Sequence, residues 1–357
     1  MRRQIWPCLA LLGLIFLLAP ITPPASADEK TYKLTVTAFA TPGTPWDTGW
    51  QTFRQHIESH AGDRLRLKLL IRGEAGGEPI MISNIRRNRT QFGGFTLSGA
   101  AAVIPELAVL TSPYLFASEE ELDFVMDEYM MEALQPLFAA KGLVLMRWAE
   151  TGWLNMYGRK ALILPQDAKG YRLRSQASIA SQVLVRSIGG DLLQMPFQDL
   201  IPALQTGLVF GGETNVILYS LTGIAGEAPH YVMTRHSYDT GVVLASKKWF
   251  DALPGDLQQI VADAFPPSPV SRRAVRGMSR QLEKSLSEKN VQLHELTPEQ
   301  RAAWVAATRD NHIQIIRRAG GRSQEIYDIV LAARRSYRAA HAENGAENGA
   351  ADSHGAR

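Results

Sequence analysis

The sequence predicts an α/β protein folded as two lobes with a cleft between them. Three observations carry this. Strand and helix patterns alternate through the first half of the chain. The 330 residues from Asp28 onward exceed what one compact domain usually holds. The last third then turns almost wholly helical, so long helices should close the fold. Two lobes around a cleft suit proteins that close on a ligand by hinge motion.

The first element is an export leader. Arg2 and Arg3 precede the apolar run Leu9–Leu18, and Ala25-Ser26-Ala27 offers a cleavage site before Asp28. The run is too short for a stable membrane anchor. Residues 1–27 therefore read as a signal peptide, and the mature protein is expected in the periplasm, soluble. The one cysteine, Cys8, lies inside this leader. That leaves no disulfide, thiol nucleophile or cysteine metal site. A chain of this size can bury a large core without cross-links.

Lys33–Phe39 alternates polar and apolar residues, as a strand does. Trp46, Trp50, Phe53 and Ile57 then fall at helical spacing, ending at Gly62. Arg64–Ile71 is a second strand, so this unit predicts parallel pairing. A long helix is expected from Ser118 to Ala140, capped by Ser118 and Glu121 and kinked by Pro136. Short strands follow at 143–148, 171–174, 192–195, 231–234 and 242–245. Helices are expected at 249–265, 270–289 and 297–318, the last opened by a Thr297–Gln300 capping box with Pro298 at its first position. The repeated Glu-Asn-Gly-Ala near the end reads as a disordered tail over 341–357.

Charge excludes one class of partner. There are 38 Lys and Arg against 35 Asp and Glu; without Arg2 and Arg3 the balance is 36 to 35. A nucleic-acid binder would want a concentrated basic face. Catalytic signatures are missing as well. Around Ser98 the residues are Phe-Thr-Leu-Ser-Gly, with Thr96 where a nucleophile elbow needs glycine. His294-Glu295 is not followed by a second histidine. Gly73-Glu74-Ala75-Gly76-Gly77 lacks the flanks of a phosphate loop. His56 and His60 share a helix face at metal-compatible spacing, but no third ligand is nearby in sequence. His230 and His236 read as packing or capping residues. No catalytic residue, metal or cofactor is expected, nor any ATP site.

A set of ordered segments then resembles a known family. Asp167–Ser175 (DAKGYRLRS) is followed by Gly189-Gly190, Met195–Leu200 (MPFQDL), Ala203–Gly207 (ALQTG) and Gly211-Gly212-Glu213. Upstream is Pro113-Tyr114-Leu115-Phe116, and downstream Trp249 with Leu253-Pro254. From about Thr35 to Phe265 this resembles the solute-binding proteins of tripartite ATP-independent periplasmic (TRAP) transporters, the DctP family. The resemblance implies a two-lobed fold like that of type II periplasmic binding proteins, with a cleft between lobes and long C-terminal helices. It implies lobes made of discontinuous segments: 28–151 with 240–280, and 152–239 with 281–340. It implies a small organic-acid ligand, delivery to a membrane permease, and no catalysis. A monomer is the expected state, with pairing through the C-terminal helices left open. A ligand-sensing co-receptor or a periplasmic hydrolase or lyase are the alternative roles.

By the same resemblance, Arg174 binds the ligand carboxylate. A guanidinium presents two parallel donors that match a carboxylate and keeps its charge when buried. Arg172, where the family has lysine, reads as a solvated strand residue. Phe197 corresponds to an aromatic that stacks on the ligand. Thr214 stands where relatives place an asparagine, with Asn215 beside it. Gly152-Trp153-Leu154 departs from the family's Gly-x-Arg, so Leu154 replaces a second cleft arginine. That favours one carboxylate and an apolar body, because a second buried anion would lack a partner. Trp153, Trp148, Trp46 and Leu97 are expected to add apolar lining. Gln176, just past Arg174, completes the expected contacts.

Overall fold

The computed structural model describes residues 30–286, 288 and 290–352, with side chains of the last helix described to 341. The expected signal peptide, and residues 353–357 of the expected tail, lie outside the described residues.

One mixed sheet of nine strands runs through both lobes. Its strands are β1 Tyr32–Ala38, β2 Leu65–Leu70, β3 Phe92–Thr96, β4 Leu143–Gly158, β5 Arg172–Ser175, β6 Asp191–Gln194, β7 Gly211–Thr214, β8 His230–Ser246 and β9 Gln292–His294. They lie in the order β2-β1-β3-β8-β4-β7-β5-β6, with β9 on β8. β1 pairs in parallel with β2, as the intervening helix Pro45–Ala61 requires. The two long strands decide the architecture. The C-terminal half of β8 pairs with β3 of the first lobe, while the C-terminal half of β4 pairs with β7 of the second. β4 and β8 pair antiparallel along their whole length, so both cross from one lobe to the other. Their ladder slips between Glu150 and Gly152 and again between Leu154 and Met156. Such bulges bend a strand pair and increase its local twist, which suits the crossing point.

Several expectations are revised by this geometry. The short strands read at 143–148, 231–234 and 242–245 are pieces of β4 and β8, whose polar hinge residues hide their continuity. The irregularity expected at Pro136 lies earlier: a π turn at Met126–Met130 separates helix Glu119–Val125 from helix Met131–Ala140. A wider turn is a known way to absorb a local misfit inside a helix. The helix read at 249–265 is split into Lys247–Phe250 and Gly255–Ala262 by Leu253-Pro254. The one read at 297–318 is split into Pro298–Thr308 and Asn311–Ala319. The Ser118 cap is present, its Oγ accepting from Glu121 N at 3.1 Å, and the Thr297–Gln300 box is complete.

Helix Ser268–Leu286 lies across the hinge. It packs on β4, on helix Pro45–Ala61 of the first lobe and on helix Val216–Leu221 of the second. Arg276 ties it to Asp123 at 2.7 and 2.8 Å and to Glu150 on β4 at 2.9 Å. The final helix, Ser323–Asp352, packs on Pro105–Thr111 and Glu119–Val125. Its buried Ile326, Val330 and Ala333 join an apolar cluster built mainly from the first lobe. That places it against the first lobe, although the resemblance assigns residues up to 340 to the second. Its backbone continues helical to Asp352, over residues whose composition predicts a tail.

Close backbone approach explains one glycine pair. A Cβ on Gly211 would overlap the carbonyl oxygen of Tyr157 across the β4–β7 ladder, and one on Gly212 would meet the Tyr157 hydroxyl at 2.6 Å. We expect Gly211→Ala to destabilise the protein by about 1–3 kcal/mol, as overpacking does. Denaturant unfolding checks this; an unchanged midpoint would contradict it.

Candidate ligand-binding site

Arg174 sits on β5, between Leu193 of β6 and Gly212 of β7. Its neighbour Leu173 is fully buried in the second lobe's core, which fixes the strand and sends Arg174 the other way. The Arg174 side chain is only 6% exposed. Its Nε donates to the carbonyl of Met195 at 3.3 Å. Among the described residues no hydrogen bond or ion pair engages either terminal nitrogen. Burial lowers its tendency to stay charged, while Tyr157, Glu213 and Glu78 oppose that. A buried guanidinium with two free donors is arranged to receive a planar anion.

Phe197 lies beside it, with the guanidinium carbon 5.7 Å from the ring centroid. The ring also meets Phe39, at the end of β1, edge-on at 5.4 Å. Gln198 Nε2 donates to Gly76 O at 3.2 Å. Chain segments of the two lobes therefore touch beside Arg174.

A second layer supports the arginine. Glu213, on β7 and 3% exposed, meets His236 Nε2 at 2.8 Å and accepts from Ser181 Oγ. His236 in turn meets Thr234 Oγ1 through Nδ1 at 2.8 Å. Burial alone would raise the Glu213 carboxyl; His236, Ser181 and Arg174 hold it below its ordinary value. On the first lobe, Glu78 accepts from Thr96 N and Thr96 Oγ1, both at 2.7 Å. Asp239, on β8 at the crossing, is 2% exposed and accepts from Ser98 N at 3.3 Å.

Burial, with the charges of Glu78 and Glu213, pushes the Asp239 carboxyl up to about 7. The unfolded value is about 3.9. Because the folded value is the higher, the stability this group contributes is full below about pH 4 and is lost as pH rises through 7. Asp239→Asn removes the titration. We expect the stability of the wild type relative to that variant to fall by on the order of 3 kcal/mol between pH 4 and 8. Urea unfolding across that range checks it; parallel pH profiles would contradict it.

The remaining expected contacts divide. Thr214 is buried at the end of β7, its carbonyl accepting from Tyr231 Oη at 3.1 Å, one strand over from Arg174. Leu154 is buried on β4 and belongs to none of the apolar core clusters. Gln176 follows Arg174 at the strand end, half-buried. Asn215 is committed elsewhere: it caps helix Val216–Leu221, with Oδ1 accepting from Leu218 N at 2.9 Å. Trp153 packs edge-on against Tyr238 at 4.8 Å. Asn215, Trp153 and Tyr238 line a separate cavity of about 510 Å³ with Arg235, Arg276 and Glu283, and Arg174 and Phe197 take no part in it. Of the tryptophans expected to line the cleft, Trp148 is core and donates to Met126 O at 3.0 Å, while Trp46 donates to Glu150 O at 2.7 Å. Leu97 is core too. Arg172, expected to be solvated, stacks on Phe210 with its guanidinium carbon 4.1 Å from the centroid.

Glu78, His236 and Asp239 carry no spacing signal. They converge only through the fold. Among the described residues, no three metal-ligating side chains come together, and no helix is long and apolar enough to cross a membrane.

Comparison with known proteins adds three findings. The family model described as DctP, bacterial extracellular solute-binding protein family 7, matches residues 36–318. The C4-dicarboxylate-binding periplasmic protein DctP of Rhodobacter capsulatus is 24% identical over 327 residues, covering 87% of this chain and 94% of that protein. Two solved structures share the fold. The sugar acid binding protein DctPAm of Advenella mimigardefordensis, in complex with galactonate, has a TM-score of 0.80 and 24% identity, covering 87% of this chain and 99% of that one. A TRAP periplasmic solute binding protein of Sulfurospirillum deleyianum, with bound succinate, has a TM-score of 0.79 and 21% identity, covering 85% and 99%.

Proposed function

This chain belongs to the DctP family of TRAP-transporter solute-binding proteins, and from that premise we propose that it captures a small organic acid in the periplasm through Arg174 and delivers it to a membrane permease. The observation that carries the reading is Arg174 itself. It is buried beside Phe197, with two terminal nitrogens that no described residue engages. Burying a cation in this way is costly unless an anion completes it.

Capture proceeds by closure. The acid docks on Arg174, the lobes rotate about the bulged crossing of β4 and β8, and Phe39 meets Phe197 over it. Glu213 and His236 hold the arginine's surroundings rigid. Segments 28–151 and 152–239 make the two lobes in this reading, with the final helix attached to the first.

The ligand carries one carboxylate and an apolar body. Leu154, where relatives carry a second cleft arginine, supports this, as does the Phe39–Phe197 pair. Relatives hold galactonate in one case and succinate in another, so one or two carboxylates fit the fold, and Leu154 favours one.

A thermal-shift screen tests the reading against monocarboxylates, dicarboxylates, sugar acids and neutral sugars. Ligand at about 1,000 times its dissociation constant adds roughly 4 kcal/mol of stability, a rise of several degrees. We expect monocarboxylates to produce it and to exceed their matched dicarboxylates. Equal shifts from neutral sugars would overturn the ligand class.

A further inference from the structure

One buried hydroxyl on the face of Arg174 has no partner. Tyr157 lies on β4 and is 0% exposed, yet its Oη makes no hydrogen bond among the described residues. The tyrosines packed with it differ. Tyr219 Oη donates to Ala228 O at 2.9 Å, and Tyr231 Oη donates to Thr214 O at 3.1 Å. An unpaired polar group in the interior is costly, and buried polar side-chain atoms mostly find a partner.

Strand register sets this hydroxyl against Arg174. Tyr157 stands opposite Gly212 on β7, and Gly212 stands opposite Arg174 on β5. Residues in one such row share a face of the sheet. Gly212 has no side chain, so the Tyr157 ring leans across β7 toward β5. Its Oη lies 2.6 Å from the point that a Gly212 Cβ would occupy, and the Arg174 carbonyl oxygen lies 3.1 Å from the same point. The row therefore holds two hydrogen-bond donors: the phenol, and a guanidinium whose terminal nitrogens no described residue engages.

Two donors without an acceptor can share one acceptor group. A carboxylate has two oxygens and accepts along several lone pairs, so it can take a guanidinium and a phenol together. Burial holds the phenol above its ordinary pKa, against the Arg174 charge and with that of Glu213, so it is a donor at neutral pH. A neutral donor also suits a site where Leu154 stands in place of a second arginine. It binds an oxygen without adding charge.

We propose that Tyr157 is a second carboxylate-binding residue, its hydroxyl donating to one oxygen of the ligand carboxylate that Arg174 holds. This rests on Arg174 as the carboxylate anchor. Gly212 then belongs to the site too, because a side chain there would displace the hydroxyl.

The test is calorimetric titration at pH 7.5 with acetate, lactate, butanoate, benzoate and gluconate, and with the primary amide of each. Wild type, Tyr157→Phe, Tyr219→Phe and Arg174→Ala are compared. Tyr157→Phe keeps the ring and removes an unpaired oxygen, so the ligand-free variant should melt at or above the wild-type temperature. Its affinity for the best-bound acid should fall about 10- to 100-fold. The matching amide should lose less than about threefold, because a bond to a charged oxygen is roughly twice as strong as a neutral one. Tyr219→Phe, whose hydroxyl bonds the protein, should bind the acid within about twofold of wild type. An equal loss for acid and amide, or a lower melting temperature with unchanged affinity, assigns the hydroxyl to packing and overturns the proposal. Arg174-dependent binding at full affinity in Tyr157→Phe also overturns it and leaves the anchor standing. Binding that ignores Arg174, or none across the panel, overturns the anchor and the role of Tyr157 with it.

Discussion

Arg174→Ala should abolish ligand capture while the protein still unfolds cooperatively. Removing one partner of a buried, hydrogen-bonded charge pair costs about 2–5 kcal/mol, which is roughly 30- to several-thousand-fold in affinity. The fold should survive because, among the described residues, Arg174 makes one protein hydrogen bond, to Met195 O, and burial already works against its charge. Arg174→Lys should rescue little. An ammonium is a compact point charge and cannot offer two parallel donors, so at least about tenfold should remain lost. Titration calorimetry with the best-bound acid measures both variants. Full affinity in Arg174→Lys would mean that charge alone, and not the paired donors, anchors the ligand.

Trp304→Ala should give the largest loss of stability. Trp304 is 0% exposed on helix Pro298–Thr308 and packs with Leu162, Leu173, Leu184 and Val232. Its Nε1 donates to Ile163 O at 2.9 Å. Truncating a fully buried tryptophan costs about 3–5 kcal/mol and also leaves a carbonyl without its donor. At about 2–4 °C per kcal/mol, the melting temperature should drop by roughly 6–20 °C. Leu173 shares this cluster and precedes Arg174, so the site should loosen too, with weaker binding at temperatures where the variant remains folded. A melting temperature within a degree of wild type would show that this helix is not held by its tryptophan.

Much of this was legible in the sequence where periodicity was clean. β1, its helix and β2 have continuous apolar faces, and the structure follows them within a residue or two. β3 is not legible, because Phe92-Gly93-Gly94-Phe95 lacks the branched residues that mark a strand. The continuity of β4 and β8 was hidden for a related reason. Glu150-Thr151-Gly152 and Arg235–Asp239 break the apolar pattern where the two strands cross between lobes. Those polar residues are there because the crossing borders a cleft.

The site divides along the same line. Arg174 and Phe197 were readable from a motif within one stretch of chain, and the fold brings them together. Asn215 caps a helix, as an asparagine before a short apolar segment commonly does. Glu78 and Asp239 lie 161 positions apart in the numbering, and no local pattern links them. Only the fold brings them near enough to act on each other.

The most direct measurement is calorimetric titration of the best-bound acid and of its primary amide into the wild type and into Arg174→Ala. The account predicts that the acid binds the wild type at least about 100-fold tighter than the amide does, and that the difference vanishes in Arg174→Ala. An amide that binds the wild type as tightly as the acid would contradict it.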